Sequence, residues 1–186
     1  MRGDGVHEPH PQVVAKARRG DPVAFESLVR AYQGDVWRLC VHLLGNPAMA
    51  DDVTQDAFIR AYRFLHRYRG DAKFSTWLFS IARNCALDEI RRNQRRRKVA
   101  EIVEAQPERA PVRADLGIEV REAVTSLPLE LREPLVMIDI LGQSYAEVAE
   151  TLGLPLGTVK SRVHRARDSV ARLLADEFLE GKNNEN

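Results

Sequence analysis

The stretch Leu152–Arg167, LGLPLGTVKSRVHRAR, decides how the chain is read. Pro155 stands where a helix opens: its ring presets the backbone angle, and its missing N–H is one that a first helical turn leaves unpaired anyway. Val159, Val163, Ala166 and Val170 then recur at helical spacing and form an inward edge. Thr158, Ser161 and Arg165 lie on another face, with Lys160, Arg162, His164 and Arg167 around them. The segment before it, SYAEVAETLG, carries Ser144 and Glu147 at capping-box spacing and closes on Gly153. Two short helices joined by LGLPLG predict a helix-turn-helix, whose second helix enters the major groove. Arginine pairs bidentately with guanine there, while lysine, serine and threonine hold phosphates or bases. The plain alternative is a helical hairpin with a solvated basic face. The capping box, the spacing and the early cations together favour DNA reading.

Working outward, a second domain begins near Gly117. IEVREAVTSL is a short amphipathic helix ended by Pro128, and LREPLVMIDILG follows, with Pro134 expected near a helix start. The last helix is expected to reach about Asp176, with EGKNNEN frayed beyond it. Upstream, EAQPERAPVRADLG holds Pro107 and Pro111 and no aromatic residue, which predicts a flexible linker over 98–117.

The first half is also helical in pattern. Asp21 and Pro22 open a helix to Leu44, with Phe25, Leu28, Val29, Tyr32, Val36, Leu39 and Leu43 on one face; Gly45-Asn46-Pro47 stops it. A second helix is expected from about Ala48 to His66, a turn over Tyr68–Lys73, and a third helix from about Ser75 to Arg97. The first ten or so residues are expected to be disordered. There is no strand signal and no repeat. The expected fold is all-α: two small helical domains, 12–97 and 118–178, joined by the linker.

Composition removes several function classes. Hydrophobic residues at 44% and charged residues at 30% suit a globular core. No apolar run approaches the roughly 20 residues that span a bilayer, so no membrane insertion is expected. The polar start MRGDGVHEPHPQ lacks a signal-peptide core, which points to the cytoplasm. Net charge is only +1, so the chain is not a polycation; its cations are instead concentrated in RRNQRRRK, Arg91–Lys98. That run fits nucleic-acid contact or, equally, a solvated helix end. Cys40 and Cys85 form no CxxC pair, so neither a disulfide framework nor a zinc site follows. There is no HExxH, Walker-type loop or GxSxG segment. Catalysis, a metal and a cofactor are therefore not expected.

Two further groups carry chemistry. Lys73, Ser75, Thr76, Arg83 and Asn84 are polar groups at or after the turn, suited to a base drawn from the stack. Phe74 and Trp77 beside them either stack on unpaired bases or pack in the core. The acidic face Asp51, Asp52, Gln55 and Asp56 repels DNA, and suits either a basic protein surface or solvent at a helix N-terminus.

ADDVTQDAFIRAY, FSTWLFSIARNCALDEIRR and SYAEVAETLGLPLGTVKSRVHRAR, in that order and spacing, resemble an RNA polymerase sigma factor. The two-domain layout is similar to the extracytoplasmic-function group of the sigma-70 family, and the resemblance covers nearly all of residues 12–176. It implies promoter-specific initiation with RNA polymerase core and, within this group, a stress response under an anti-sigma factor. Asp51, Asp52, Gln55, Asp56, Ile59 and Arg60 match the part that docks on the beta prime clamp helices; the beta flap is the other core partner implied. Arg69, Gly70, Asp71, Lys73, Phe74, Ser75, Thr76, Arg83, Asn84, Arg91 and Arg92 match the part that recognises and melts the minus-ten element, taking both duplex and melted single strand. Thr158, Lys160, Ser161, Arg162, His164, Arg165 and Arg167 fall on the minus-35 reader. A stand-alone helix-turn-helix repressor or activator is the competing reading, and it leaves the first half without a role. The N-terminal extension receives no role from the resemblance.

Overall fold

The computed structural model describes residues 7–100 and 118–183, with side chains described over 7–96 and 120–175. Among these residues every regular element is helical: α1 (Pro11–Arg18), α2 (Pro22–Leu44), α3 (Pro47–Phe64), α4 (Phe74–Ala100), α5 (Ile118–Ser126), α6 (Leu129–Leu135), α7 (Tyr145–Leu152) and α8 (Leu156–Asn183). A 3₁₀ turn, Leu65–Arg67, follows α3, and a π turn, Val136–Ile140, follows α6. None of the described helices is long and apolar enough to cross a membrane.

Local chemistry sets the helix ends. Asp21 caps α2 by accepting from the Val23 and Ala24 amides at 2.9 and 3.1 Å. Gly45 ends α2 in the left-handed region at φ +69°, which a side chain would strain. The capping box of α7 is complete: Glu147 Oε2 accepts from the Ser144 amide at 2.7 Å and Ser144 Oγ from the Glu147 amide at 3.3 Å. Pro134 departs from expectation. It lies inside α6, buried, where its missing N–H interrupts the ladder; the π turn follows, with the Leu141 amide bonded back to the Val136 carbonyl at 3.1 Å.

Near both ends, the described residues are more regular than the sequence suggests. From His7 onward the expected disorder is corrected, because α1 buries Val14 and Ala17 against the core and residues 7–10 are bonded to α2 and α4. Residues 1–6 lie outside the described residues. α4 runs through Ala100, so the linker can begin only after it, and the flexibility expected over 101–117 falls outside the described residues. The tail expected to fray instead continues α8 as far as Asn183.

Helices α2, α3 and α4 pack through the predicted α2 face and small residues of the other two: Ala50, Ala57, Ala61, Ala82 and Ala86 are all fully buried. Small side chains let helices approach closely, and the larger Leu28, Leu39 and Leu43 each gain about 1.5–3 kcal/mol from burial. Helices α5 to α8 bury Leu127, Leu131, Leu135, Val148, Val159, Val163 and Ala166. One continuous apolar cluster joins both groups, through α2 against α5 and the π turn and α4 against α7. Arg132 stitches that seam. Its guanidinium donates to the Leu43 carbonyl at the end of α2 at 2.7 Å, to Leu127 at 2.8 Å and to Thr125. A cation at the C-terminus of α2 satisfies carbonyls that the helix leaves open.

Candidate nucleic-acid interface

The last helix has a dry edge and a wet one. Val159, Val163 and Ala166 are fully buried, which fixes how α8 is rotated about its axis. Lys160, Ser161, His164 and Arg165 consequently face solvent, with Thr158 and Arg162 half-buried at the margin. Lys160, Arg162 and Arg165 make no ion pair among the described residues. Three uncommitted cations on the first turns of the second helix of a helix-turn-helix present their charge to whatever enters the groove. Arg167 differs: it is held by Asp139 through a bidentate pair, Nε–Oδ2 2.9 Å and Nη2–Oδ1 2.5 Å. Among the described residues it is the one cation of the expected minus-35 set that is held by a carboxylate outside its own helix. His164 lies 3.4 Å from Asp168, both well exposed.

The turn before α4 is organised by aromatic rings. Tyr68, Phe74 and Trp77 lie within 6 Å of one another by ring centroid, and Tyr32 lies 5.5 Å from Phe74. The Tyr68 hydroxyl donates to the Ala72 carbonyl at 2.6 Å, and Gly70 takes φ +83°, so the turn is tight. Phe74, Ser75 and Thr76 are each only 3% exposed. They do not stand free to stack on or read a base in this arrangement: of the two readings open for Phe74, core packing is the one seen, and the rings close the end of the core. Arg69, Gly70, Asp71, Lys73 and Asn84 are exposed, and Trp77 is half-buried against the cluster.

Most cations of this surface already have partners. Lys73 Nζ lies 2.6 Å from Glu147 of α7. Arg83 Nη2 donates to Glu133 Oε2 at 3.1 Å; its Nε approaches Oε1 at 2.7 Å, too bent for a second hydrogen bond. Arg91 pairs with Asp88 at 3.5 Å and Arg92 with Glu89 at 2.7 Å. Burial pushes the Glu147 carboxyl up, but Lys73 and the Ser144 amide outweigh it and hold it below the usual carboxylate range.

The acidic face of α3 points outward. Asp51, Asp52 and Gln55 are exposed, and Ile59 is half exposed beside them. Asp51 accepts from Trp37 Nε1 at 2.7 Å, and Arg60 bridges Asp56 and Asp88 at 3.0 and 3.1 Å. Between α3 and α4 runs a groove of about 400 Å³, bordered by Asp52, Asp56, Arg60, Asp88 and Arg92. A surface that alternates carboxylates with an exposed Ile side chain suits a protein partner better than a phosphate backbone. Cys40 and Cys85 are buried, and burial pushes their thiols up to about 12 and about 11, so neither is a ready nucleophile.

Sequence reasoning missed Glu8, Arg132 and Glu133. Each acts on a residue far along the chain, and no local pattern marks such a pairing.

Comparison with known proteins agrees with this geometry. The description Sigma-70 region 2 matches residues 28–96, and Sigma-70, region 4 matches residues 118–170. The RNA polymerase sigma-H factor of Pseudomonas aeruginosa is 36% identical over 91% of this chain and 95% of its own. The ECF RNA polymerase sigma factor SigW of Bacillus subtilis is 33% identical, over 88% and 95%. Among solved structures, the sigma factor RpoE of Bartonella quintana, in complex with the anti-sigma factor NepR, is similar with a TM-score of 0.72 at 26% identity, covering 81% of this chain and 96% of that one.

Proposed function

The chain belongs to the extracytoplasmic-function group of the sigma-70 family, and from that premise we propose how its surfaces divide the work of starting transcription at a promoter. The first domain, 12–97, docks on polymerase core through Asp51, Asp52, Gln55, Asp56, Ile59 and Arg60, against the beta prime clamp helices. The turn and α4, through Arg69, Gly70, Asp71, Lys73, Arg83, Asn84, Arg91 and Arg92, hold the minus-ten element and its melted strand, with the buried Phe74, Ser75 and Thr76 shaping the turn that presents them. The second domain, 118–178, meets the beta flap and reads the minus-35 duplex with Thr158, Lys160, Ser161, Arg162, His164, Arg165 and Arg167. The segment after α4, 101–117, links them.

The observation that carries this reading is the coexistence of two opposite surfaces in family order. An outward acidic face lies on α3, and three cations without an acidic partner among the described residues lie on the leading turns of α8. A stand-alone repressor has no use for the first. Core holds both domains at promoter spacing, so two weak readers act together through effective concentration. Preference for the unpaired strand shifts the closed-to-open equilibrium. Sigma factors make no bond, and the chemistry is the polymerase's. The protein acts in the cytoplasm, where core is.

The seam gives this mechanism a first step. Glu133 and Glu147 occupy Arg83 and Lys73 as phosphates would, so promoter capture requires the domains to part and these partners to exchange. The Bartonella factor is bound by NepR, and an anti-sigma factor of this chain would act by covering the same docking faces. Charge reversal tests the docking assignment: Asp52→Arg with Asp56→Arg should lower affinity for purified core on the order of 100-fold, since like charges placed face to face cost several kcal/mol. Unchanged core affinity in a variant with wild-type melting behaviour contradicts it.

A further inference from the structure

The start of α4 lacks a cap of its own. Phe74 and Ser75 open the helix, and Lys73 before them brings a positive charge to the end where the helix dipole favours a negative one. Yet both leading amides are satisfied. Glu8 Oε2 accepts from the Phe74 amide at 3.0 Å, and Oε1 accepts from the Ser75 amide at 3.2 Å and from the Ser75 hydroxyl. The cap therefore comes from 66 residues upstream.

Glu8 is itself held. The buried Tyr32 hydroxyl of α2 donates to the His7 carbonyl at 2.7 Å on one side. On the other, His10 caps α1 by accepting from the Gln12 amide at 3.3 Å, and α1 rests on α2 through Val14 and Ala17. Residues 7–10 are thus a strap fixed at both ends, with one carboxylate aimed at the first turn of α4. Tyr32 also packs on Phe74, so the strap and the aromatic cluster grip the same turn.

We propose that Glu8 is a positioning residue for strand capture, its carboxylate fixing the start of α4 and so the placement of Lys73, Arg83 and Asn84 toward the melted minus-ten strand. It touches no DNA. It orders the backbone that presents the groups that do. The inference rests on the minus-ten assignment above and gives the N-terminal extension a role.

The test uses full-length chain with polymerase core and a labelled non-template single strand from a promoter the holoenzyme transcribes. Glu8→Ala should weaken strand binding about fivefold, the effect of losing an ordinary helix cap. Core affinity and minus-35 duplex binding should stay unchanged. Glu8→Gln, which keeps an acceptor oxygen, should recover part of the loss. Hydrogen exchange at the Phe74 and Ser75 amides of the free chain should speed up in Glu8→Ala. Faster exchange with wild-type strand binding overturns the proposal, as does an equal loss of core, duplex and strand binding, which marks a purely structural residue. A wild-type holoenzyme that binds no strand at all overturns the minus-ten assignment and the proposal together, while the exchange result still reports on the cap.

Discussion

The two surfaces proposed to face DNA differ in how much of their charge is available. On α8, Lys160, Arg162 and Arg165 have no acidic partner among the described residues. Around α4, Lys73, Arg83, Arg91 and Arg92 are all paired, two of them with carboxylates of the other domain. The surface proposed to read duplex thus keeps three cations free of acidic partners among the described residues, whereas the one proposed to hold the strand is exposed but ion-paired. That asymmetry suits a factor that acts only after core has parted the domains, because single-strand capture away from a promoter serves no purpose.

The comparison breaks most severely if α8 loses its inner edge. Val163→Asp should destabilise the second domain by about 3–5 kcal/mol, the usual penalty for an uncompensated buried charge. Thermal melting should show it, together with loss of duplex binding. Next in size, Lys160→Ala and Arg165→Ala should each reduce minus-35 affinity of the holoenzyme by about 1–3 kcal/mol if they meet base edges, measured by competition with mutated duplexes. Arg167→Ala should cost less binding, because Asp139 already holds its guanidinium.

Glu133→Gln sharpens the contrast from the covered side. It removes the charge that holds Arg83, so strand binding by the free chain should rise a few fold even as the seam loses about 1 kcal/mol. No gain in strand binding would mean that the seam does not gate α4. A smaller effect comes from pH. His42 is buried in α2, bonded through Nδ1 to the Arg38 carbonyl at 2.7 Å and facing the guanidiniums of Arg38 and Arg121. Burial lowers its pKa below the ordinary histidine value and outweighs the bond to the Arg38 carbonyl, with smaller pushes in the same direction from the Arg121 and Arg38 charges. The unfolded chain then takes up a proton first as pH falls. Stability is full above about pH 6.5 and declines as pH drops toward the lower folded-state value. Melting temperature followed from pH 7.5 to 5.5 should fall, and His42→Gln should flatten part of that slope.

Features governed by neighbours in sequence were legible. The Asp21 cap, the Ser144–Glu147 box, the α2 face and the buried Val159–Val163–Ala166 edge all appear as read, because each depends on residues within about one or two helical turns. Which polar residues stand on a helix exterior was legible for the same reason: the buried edge of a helix dictates its outer one. What the sequence hid are long-range pairings. Glu8 with Ser75, Arg83 with Glu133 and Arg132 with the end of α2 join segments that no periodicity relates. Phe74 shows the remaining difficulty, since an aromatic residue at a turn has one composition whether it stacks on a base or closes a core; here it closes the core.

The most direct measurement is run-off transcription by purified bacterial core polymerase, with and without this chain, on genomic fragments that include the promoter of its own gene. The account predicts discrete transcripts that require both core and the chain, and that disappear with Asp52→Arg and Asp56→Arg. Specific duplex binding without core, and no transcript with a cognate core, would contradict it.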